Sequence, residues 1–261
     1  MGRSRGLVFV GTQALVQEHI AFADLRLAVV DEQHRFGVAE REALAAKGGS
    51  VHVLLMTATP IPQVLGQVIH ADLDVSDLRA APVGRRPVLT GIKRPGALDG
   101  TWSKVAEEAA AGRRTFVVVP LIEAEGADDD AAETTDAAEG GDAAGGPAGA
   151  VSAEVEAARL TDLLAPLRVG MVHGRLKAAD RDALMGRFRD GDLDVLVGTT
   201  VVEVGVDVPD ATMMVIESAD RFGLAQLHQL RGRVGRSTHQ SYCVLVSDAP
   251  DDSVAMTRLR A

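Results

Sequence analysis

The chain has 261 residues, with 27 basic and 37 acidic side chains and a formal charge of −10. Its 46% hydrophobic content is enough for packed cores, which excludes fibrous, collagen-like and wholly disordered classes. A single cysteine, Cys243, cannot form an internal disulfide or a Cys-rich zinc site, and no apolar run approaches the roughly 20 residues of a membrane span, so the chain reads as cytoplasmic with no membrane partner.

The charge is unevenly spread. Between Thr115 and Ala158 lie 11 acids and no Lys or Arg, and outside that stretch 26 acids face 27 bases. The acidity therefore belongs to one segment, and the remainder can carry a basic face for nucleic acid. Of the bases, 23 are Arg. Arg forks suit phosphate binding, but a GC-rich genome produces the same bias, so the count alone decides nothing.

At the N-terminus, Arg3 and Arg5 precede an apolar stretch and Ala21-Phe22-Ala23 imitates a cleavage site. Gly11, Thr12 and Gln13 break the run and Glu18 follows, which predicts a strand and a helix rather than a signal peptide. Short apolar runs then alternate with helical patterns. Strands are predicted over Leu7–Val10, Leu27–Val30, Val51–Met56, Thr115–Val119, Val169–Val172, Asp194–Val197, Met213–Ile216 and Tyr242–Val246. Helices are predicted over Val38–Ala46, Ile61–Ile69, Leu98–Ala111, Ala153–Leu164, Ala179–Arg189 and Leu224–Val234. This alternation implies an α/β fold with mainly parallel sheets, covered on both faces. Ala81-Pro82-Val83-Gly84 and Pro87 place a joint near residue 85, giving a small first lobe over 1–84 and a larger second lobe over 85–261. Residues 126–150 hold no aromatic and almost nothing to bury, which predicts a disordered, solubilising acidic insertion. The first lobe is too short for a complete nucleotide-binding domain, so an N-terminal part is expected to be missing.

Four motifs carry chemistry. The apolar run Leu27–Val30 delivers Asp31 and Glu32 at its carboxyl end, where α/β sheets place ligands. In nucleotide hydrolysis one carboxylate holds Mg²⁺ while a second polarises the attacking water, although an acidic loop after a buried strand would look the same. Met56-Thr57-Ala58-Thr59-Pro60 ends the next strand, where the hydroxyls can bond neighbouring loops or Thr59 can cap a helix begun by Pro60. Val197–Pro209 feeds a strand into the Thr199-Thr200 turn and then Gly205-Val206-Asp207. Gln226–Arg236 reads as a helix ending in a Gly/Arg repeat, with Arg233 and Arg236 three apart so that a helical turn would aim both guanidinium groups one way. Two such groups on one γ-phosphate suit phosphoryl transfer.

Together these motifs resemble the motor of the second helicase superfamily: a D-E-x-H box at Asp31–His34, T-A-T at Thr57–Thr59 and Gln-x-x-Gly-Arg-x-Gly-Arg at Gln229–Arg236 occur in its order. GTQAL (Gly11–Leu15), DEQHRFGV (Asp31–Val38), MTATPIP (Met56–Pro62), DLDVS (Asp72–Ser76), PLIE (Pro120–Glu123), VHGRLK (Val172–Lys177), TTVVEVGVDVPDA (Thr199–Ala211) and RFGLAQLHQLRGRVGR (Arg221–Arg236) look like the RecG family of ATP-dependent DNA helicases. PLIE, DLDVS and the E-V-G-V-D-V-P form favour it over the related transcription-repair coupling factor.

The resemblance implies two RecA-like lobes, the first truncated, using ATP and Mg²⁺. Asp31 would bind the metal and Glu32 would activate water, with Arg233 and Arg236 as arginine fingers. Gln33, His34, Gly205, Asp207 and Gln229 would meet the nucleotide or couple to it, and Thr57 and Thr59 would link ATP state to DNA grip. Gly11, Thr12, His173, Arg175, Lys177, Thr199 and Thr200 would line the DNA track, mostly on sugar and phosphate, which carries no sequence information. The implied activity is ATP-driven helicase or translocase work on branched DNA, at stalled forks and Holliday junctions, in recombination and repair.

The chain departs from the family in having no Gly-Lys dipeptide, and so no G-x-x-x-x-G-K-[ST] loop to cradle phosphates. The family's N-terminal wedge domain and its C-terminal helical hairpin are also expected to be missing from this stretch. A fragment of a longer helicase is therefore expected, with weak or no ATPase alone. The alternative is a non-catalytic nucleic-acid-binding remnant.

Overall fold

The computed structural model describes residues 6–17, 19–32, 43, 44, 46–48, 50–57, 74, 76, 78, 84–120, 147–199 and 207–260. The chain divides into two compact units, one within the first 76 residues and the other beyond them. The predicted joint near residue 85 falls in a stretch whose residues 79–83 lie outside the described set. The predicted helix Ile61–Ile69 also lies outside it, as does most of Val38–Ala46, of which residues 43, 44 and 46 are helical.

In the first unit, β1 (Leu27–Val30) and β2 (His52–Leu55) pair in parallel, with Val30 opposite Leu55. Period-two alternation turns Ala28 and Val30 inward onto Leu44, with Val16, Leu25, Val51 and Leu55 packed around them. Lys47 ties this layer to the preceding loop, its Nζ donating to the carbonyls of Gln17 and Ile20 at 2.7 Å each. Leu7–Val10 was expected to be a strand and is not one. All four residues are exposed and pair with no strand among the described residues, and an unpaired apolar run gains nothing by extending into a ladder.

The second unit holds a six-stranded, all-parallel sheet in the order β3-β8-β7-β4-β6-β5. Its strands are β3 (Leu89–Lys93), β4 (Arg114–Val118), β5 (Val169–Val172), β6 (Val195–Gly198), β7 (Ala211–Ile216) and β8 (Tyr242–Val246). Its helices are α1 (Asp99–Ala110), α2 (Pro147–Leu163), α3 (Ala178–Asp190), α4 (Leu224–Arg231) and α5 (Val254–Arg260). Alternate strand residues serve two cores. Phe116, Val118, Leu196, Met214 and Ile216 meet α3, α4 and α5 through Phe188, Leu230 and Leu259. Val117, Val195, Val197, Met213 and Val215 meet α1 and α2 through Trp102, Val105 and Leu160. Burial on both faces is why β6 and β7 are apolar at nearly every position, and β4 from Phe116 onward.

Two elements were not foreseen. The edge strand β3 pairs only with β8 and is largely exposed, so Thr90, Gly91 and Lys93 can interrupt its apolar run without cost to the core. The short helix α5 is announced by Ser253, whose Oγ accepts from the Met256 amide at 3.1 Å. Between β4 and β5, α2 begins at Pro147, inside the span expected to be disordered. Proline suits a first helical turn because its missing N–H would have no partner there. Residues 121–146 lie outside the described set. Among the described residues, no helix is long and apolar enough to cross a membrane.

Candidate nucleotide and DNA site

In parallel α/β sheets, functional side chains gather where strands end. At the carboxyl end of β1, the exposed Asp31 accepts the Glu32 amide on Oδ1 at 2.9 Å. Glu32 is half-buried with φ 52°, in the left-handed region that a side chain resists. Strain of this kind tends to persist at functional sites. In the neighbouring strand the Met56 amide donates to the Val30 carbonyl at 2.8 Å, continuing the ladder. Glu32 and Thr57 thus each stand two residues past the paired Val30 and Leu55, and the sheet brings Asp31, Glu32 and Thr57 to one edge. Gln33, His34 and Thr59 lie outside the described residues.

Gly11 and Thr12 open a short 3₁₀ turn over Gln13–Val16. Thr12 caps it, accepting the Ala14 amide on Oγ1, and a Cβ on Gly11 would come within 2.9 Å of the Leu15 side chain. Both residues therefore have a local structural reason to be there.

In the second unit, the sheet register sets His173, Thr199, Val119 and Glu217 one residue past paired positions on β5, β6, β4 and β7. His173 is buried, and its Nδ1 accepts the Arg175 amide at 3.2 Å. The Leu176 amide closes the same turn onto the His173 carbonyl. This turn presents Arg175 and Lys177 to solvent at the start of α3, where amides and helix dipole also favour an anion. Thr199 is fully buried, with an Oγ1 that has no hydrogen-bond partner among the described residues. Thr200 and Gly205 lie outside them.

The Gly/Arg repeat departs from its expected geometry. The α4 helix ends at Arg231, Val234 is buried, and Gly235 has φ 78°. Arg233 and Arg236 are therefore not one helical turn apart on a common face. Gly235 is required on two counts: the positive φ, and a Cβ that would sit 2.6 Å from Val88 Cγ2. Beyond this reversal, Arg236 Nη1 donates to Asp207 Oδ1 at 3.0 Å, and its Nε to the Gly232 carbonyl at 3.1 Å. Two expected site residues, Asp207 and Arg236, are thereby brought together, while Gln229 is half-buried on α4. Asp31 and Glu32 belong to the first unit, Arg233 and Arg236 to the second.

Glu217 escaped sequence reasoning. It follows β7 as Asp31 follows β1, and that strand-then-acid pattern was the available signal. Burial, and then the Glu156 carboxylate, push its carboxyl up to about 7 against the pull of Arg159.

The residues present suit Mg²⁺ and phosphate. A carboxylate at a strand end offers the hard oxygen ligand that Mg²⁺ takes alongside phosphate oxygens and water. Arg236 already holds one oxyanion, the Asp207 carboxylate, as it would a phosphate oxygen. Among the described residues, no group of three or more His, Cys, Asp or Glu could hold a metal unaided.

Residues 148–238 match the model of the helicase conserved C-terminal domain. The chain is 48% identical over 262 residues to the ATP-dependent DNA helicase RecG of Mycobacterium bovis, covering 97% of this chain and 34% of that protein. It is 45% identical over 244 residues to RecG of a Synechocystis species, covering 93% and 27%. The chain thus spans about a third of the length of the curated relatives it matches. A solved structure of RecG bound to a three-way DNA junction superposes with TM-score 0.68 at 39% identity, covering 96% of this chain and 30% of that one. Dbp5 of S. cerevisiae, solved with RNA and ADP BeF3, shares the fold at TM-score 0.59 and 14% identity, covering 95% and 60%.

Proposed function

Because this chain belongs to the RecG family of helicases, we propose that it forms part of an ATP-dependent helicase or translocase that remodels branched DNA, at stalled forks and Holliday junctions, in recombination and repair. The observation that carries the reading is 48% identity maintained over 97% of the chain.

Asp31 and Glu32 form the acidic half of the chemistry. Asp31 would hold Mg²⁺, and Glu32 would accept the proton of the attacking water. Arg233 and Arg236 form the basic half, offering guanidinium groups to charge that builds on the transferred phosphoryl. When bound, Mg-ATP supplies the phosphoanhydride and a cation that neutralises its oxygens. Arg175 and Lys177 would hold DNA phosphates from the α3 terminus, which suits a motor that moves along any sequence.

The test is phosphate release, read by malachite green, with three-way junction DNA against linear duplex. In the full-length polypeptide carrying this segment, the junction should stimulate turnover. Glu32→Gln should lower kcat by about 10²-fold or more, and Arg236→Ala by about 10³-fold. The 261-residue chain alone has no Gly-Lys dipeptide and should show little or no turnover. Robust hydrolysis by that chain, or full-length turnover indifferent to Glu32→Gln, would overturn the reading.

A further inference from the structure

Arg236 is restrained within its own unit. Its guanidinium lies between the Asp207 carboxylate at 3.0 Å and the Gly232 carbonyl at 3.1 Å. The two partners come from different loops, Asp207 from the one preceding β7 and Gly232 from the end of α4. Both ion-pair members keep contact with water, Asp207 at 62% side-chain exposure and Arg236 at 33%.

We propose that Asp207 is a positioning residue for Arg236: it parks the guanidinium while no phosphate is present and yields it when a more highly charged oxyanion arrives. The inference rests on the reading of Arg236 as an arginine finger, and gives Asp207 a role besides meeting the nucleotide. An Arg side chain left alone spreads over many rotamers, so few copies point usefully at any moment. Two acceptors at fixed loop positions narrow that spread. The hold is weak because an ion pair this exposed typically shifts an equilibrium only about two- to fivefold. It is therefore a bias rather than a lock. A carboxylate carries one negative charge and a terminal phosphate more, so the exchange runs toward phosphate.

The test reads the guanidinium directly in the 261-residue chain. Phenylglyoxal modifies exposed arginines, and peptide mapping by mass spectrometry gives the rate at Arg236. Asp207→Asn should raise that rate about two- to fivefold. Asp207→Glu should restore protection, and 1 M NaCl should bring wild type toward Asp207→Asn by screening. The rate at Arg168, held by Asp194 at 2.7 Å, should not respond to the substitution. An Arg236 rate unchanged by Asp207→Asn overturns the proposal.

A fluorescent ATP analogue titrated onto the full-length polypeptide gives a second readout. Tighter binding in Asp207→Asn supports parking, because a competitor has been removed. Weaker binding with unchanged labelling makes Asp207 a nucleotide contact only and overturns it. If wild type binds no nucleotide, the helicase reading fails, while the labelling result still decides whether Asp207 holds Arg236.

Discussion

Glu217 sits where a carboxylate is costly. Its amide donates to the Val118 carbonyl at 2.8 Å, and its Oε1 is buried without a hydrogen-bond partner among the described residues. Among the described residues, the charged groups acting on it are on α2: Glu156, which repels it, and Arg159, which attracts it. Arg159 is already engaged, bonded to Glu156 at 2.6 Å and stacked over the Trp102 ring. The folded carboxyl titrates near 7 against an ordinary 4.5, so the folded state binds the extra proton. Stability therefore falls as pH rises from 4.5 to 7 and stays lower above that. Glu217→Gln removes the charge and keeps the shape. Its melting temperature should exceed wild type by a few degrees at pH 8, and the gain should shrink toward zero near pH 5. Scanning calorimetry at both pH values checks this; equal gains would mean the carboxylate is not the source.

Among the elements, the reversal after α4 shows why spacing alone misleads. Arg233 and Arg236 read as a helical pair because they lie three positions apart, yet Gly235 at φ 78° breaks that geometry. The glycine was visible in the sequence; its positive φ was not, nor was the closeness of Val88, far away in the chain. Gly235→Ala should cost about 1–3 kcal/mol in urea denaturation. Val88→Ala added to it should recover only part, since the steric clash goes and the φ strain stays. Full recovery would assign the whole effect to crowding. Strands buried on both faces were legible almost to the residue, since a short, unbroken apolar run between turns must hide both of its faces. Strand β3 was not, because an edge needs no second buried face and so has no such run. Leu7–Val10 shows the converse, apolar but unpaired.

For the whole molecule, charge is the property that composition states least well. The acidic and basic motifs were legible as motifs, yet the pairing of Asp207 with Arg236 depended on two loops folding toward each other. The net −10 likewise hides a near-neutral remainder, because residues 126–146 alone carry seven acids and no base. By composition they hold no aromatic residue and almost nothing to bury. Replacing them with a short Gly/Ser linker should leave the melting temperature within about 1 °C, because surface changes away from packed groups seldom matter. The same deletion removes a repulsive field that any DNA phosphate meets. Affinity for junction DNA should tighten by less than about tenfold at low salt, and the difference should vanish near 0.5 M NaCl, where the Debye length is only a few ångströms. Fluorescence anisotropy across a salt series measures both limits. A gain that survives high salt would mean that the segment contacts the DNA-binding surface itself, rather than acting through its charge at a distance.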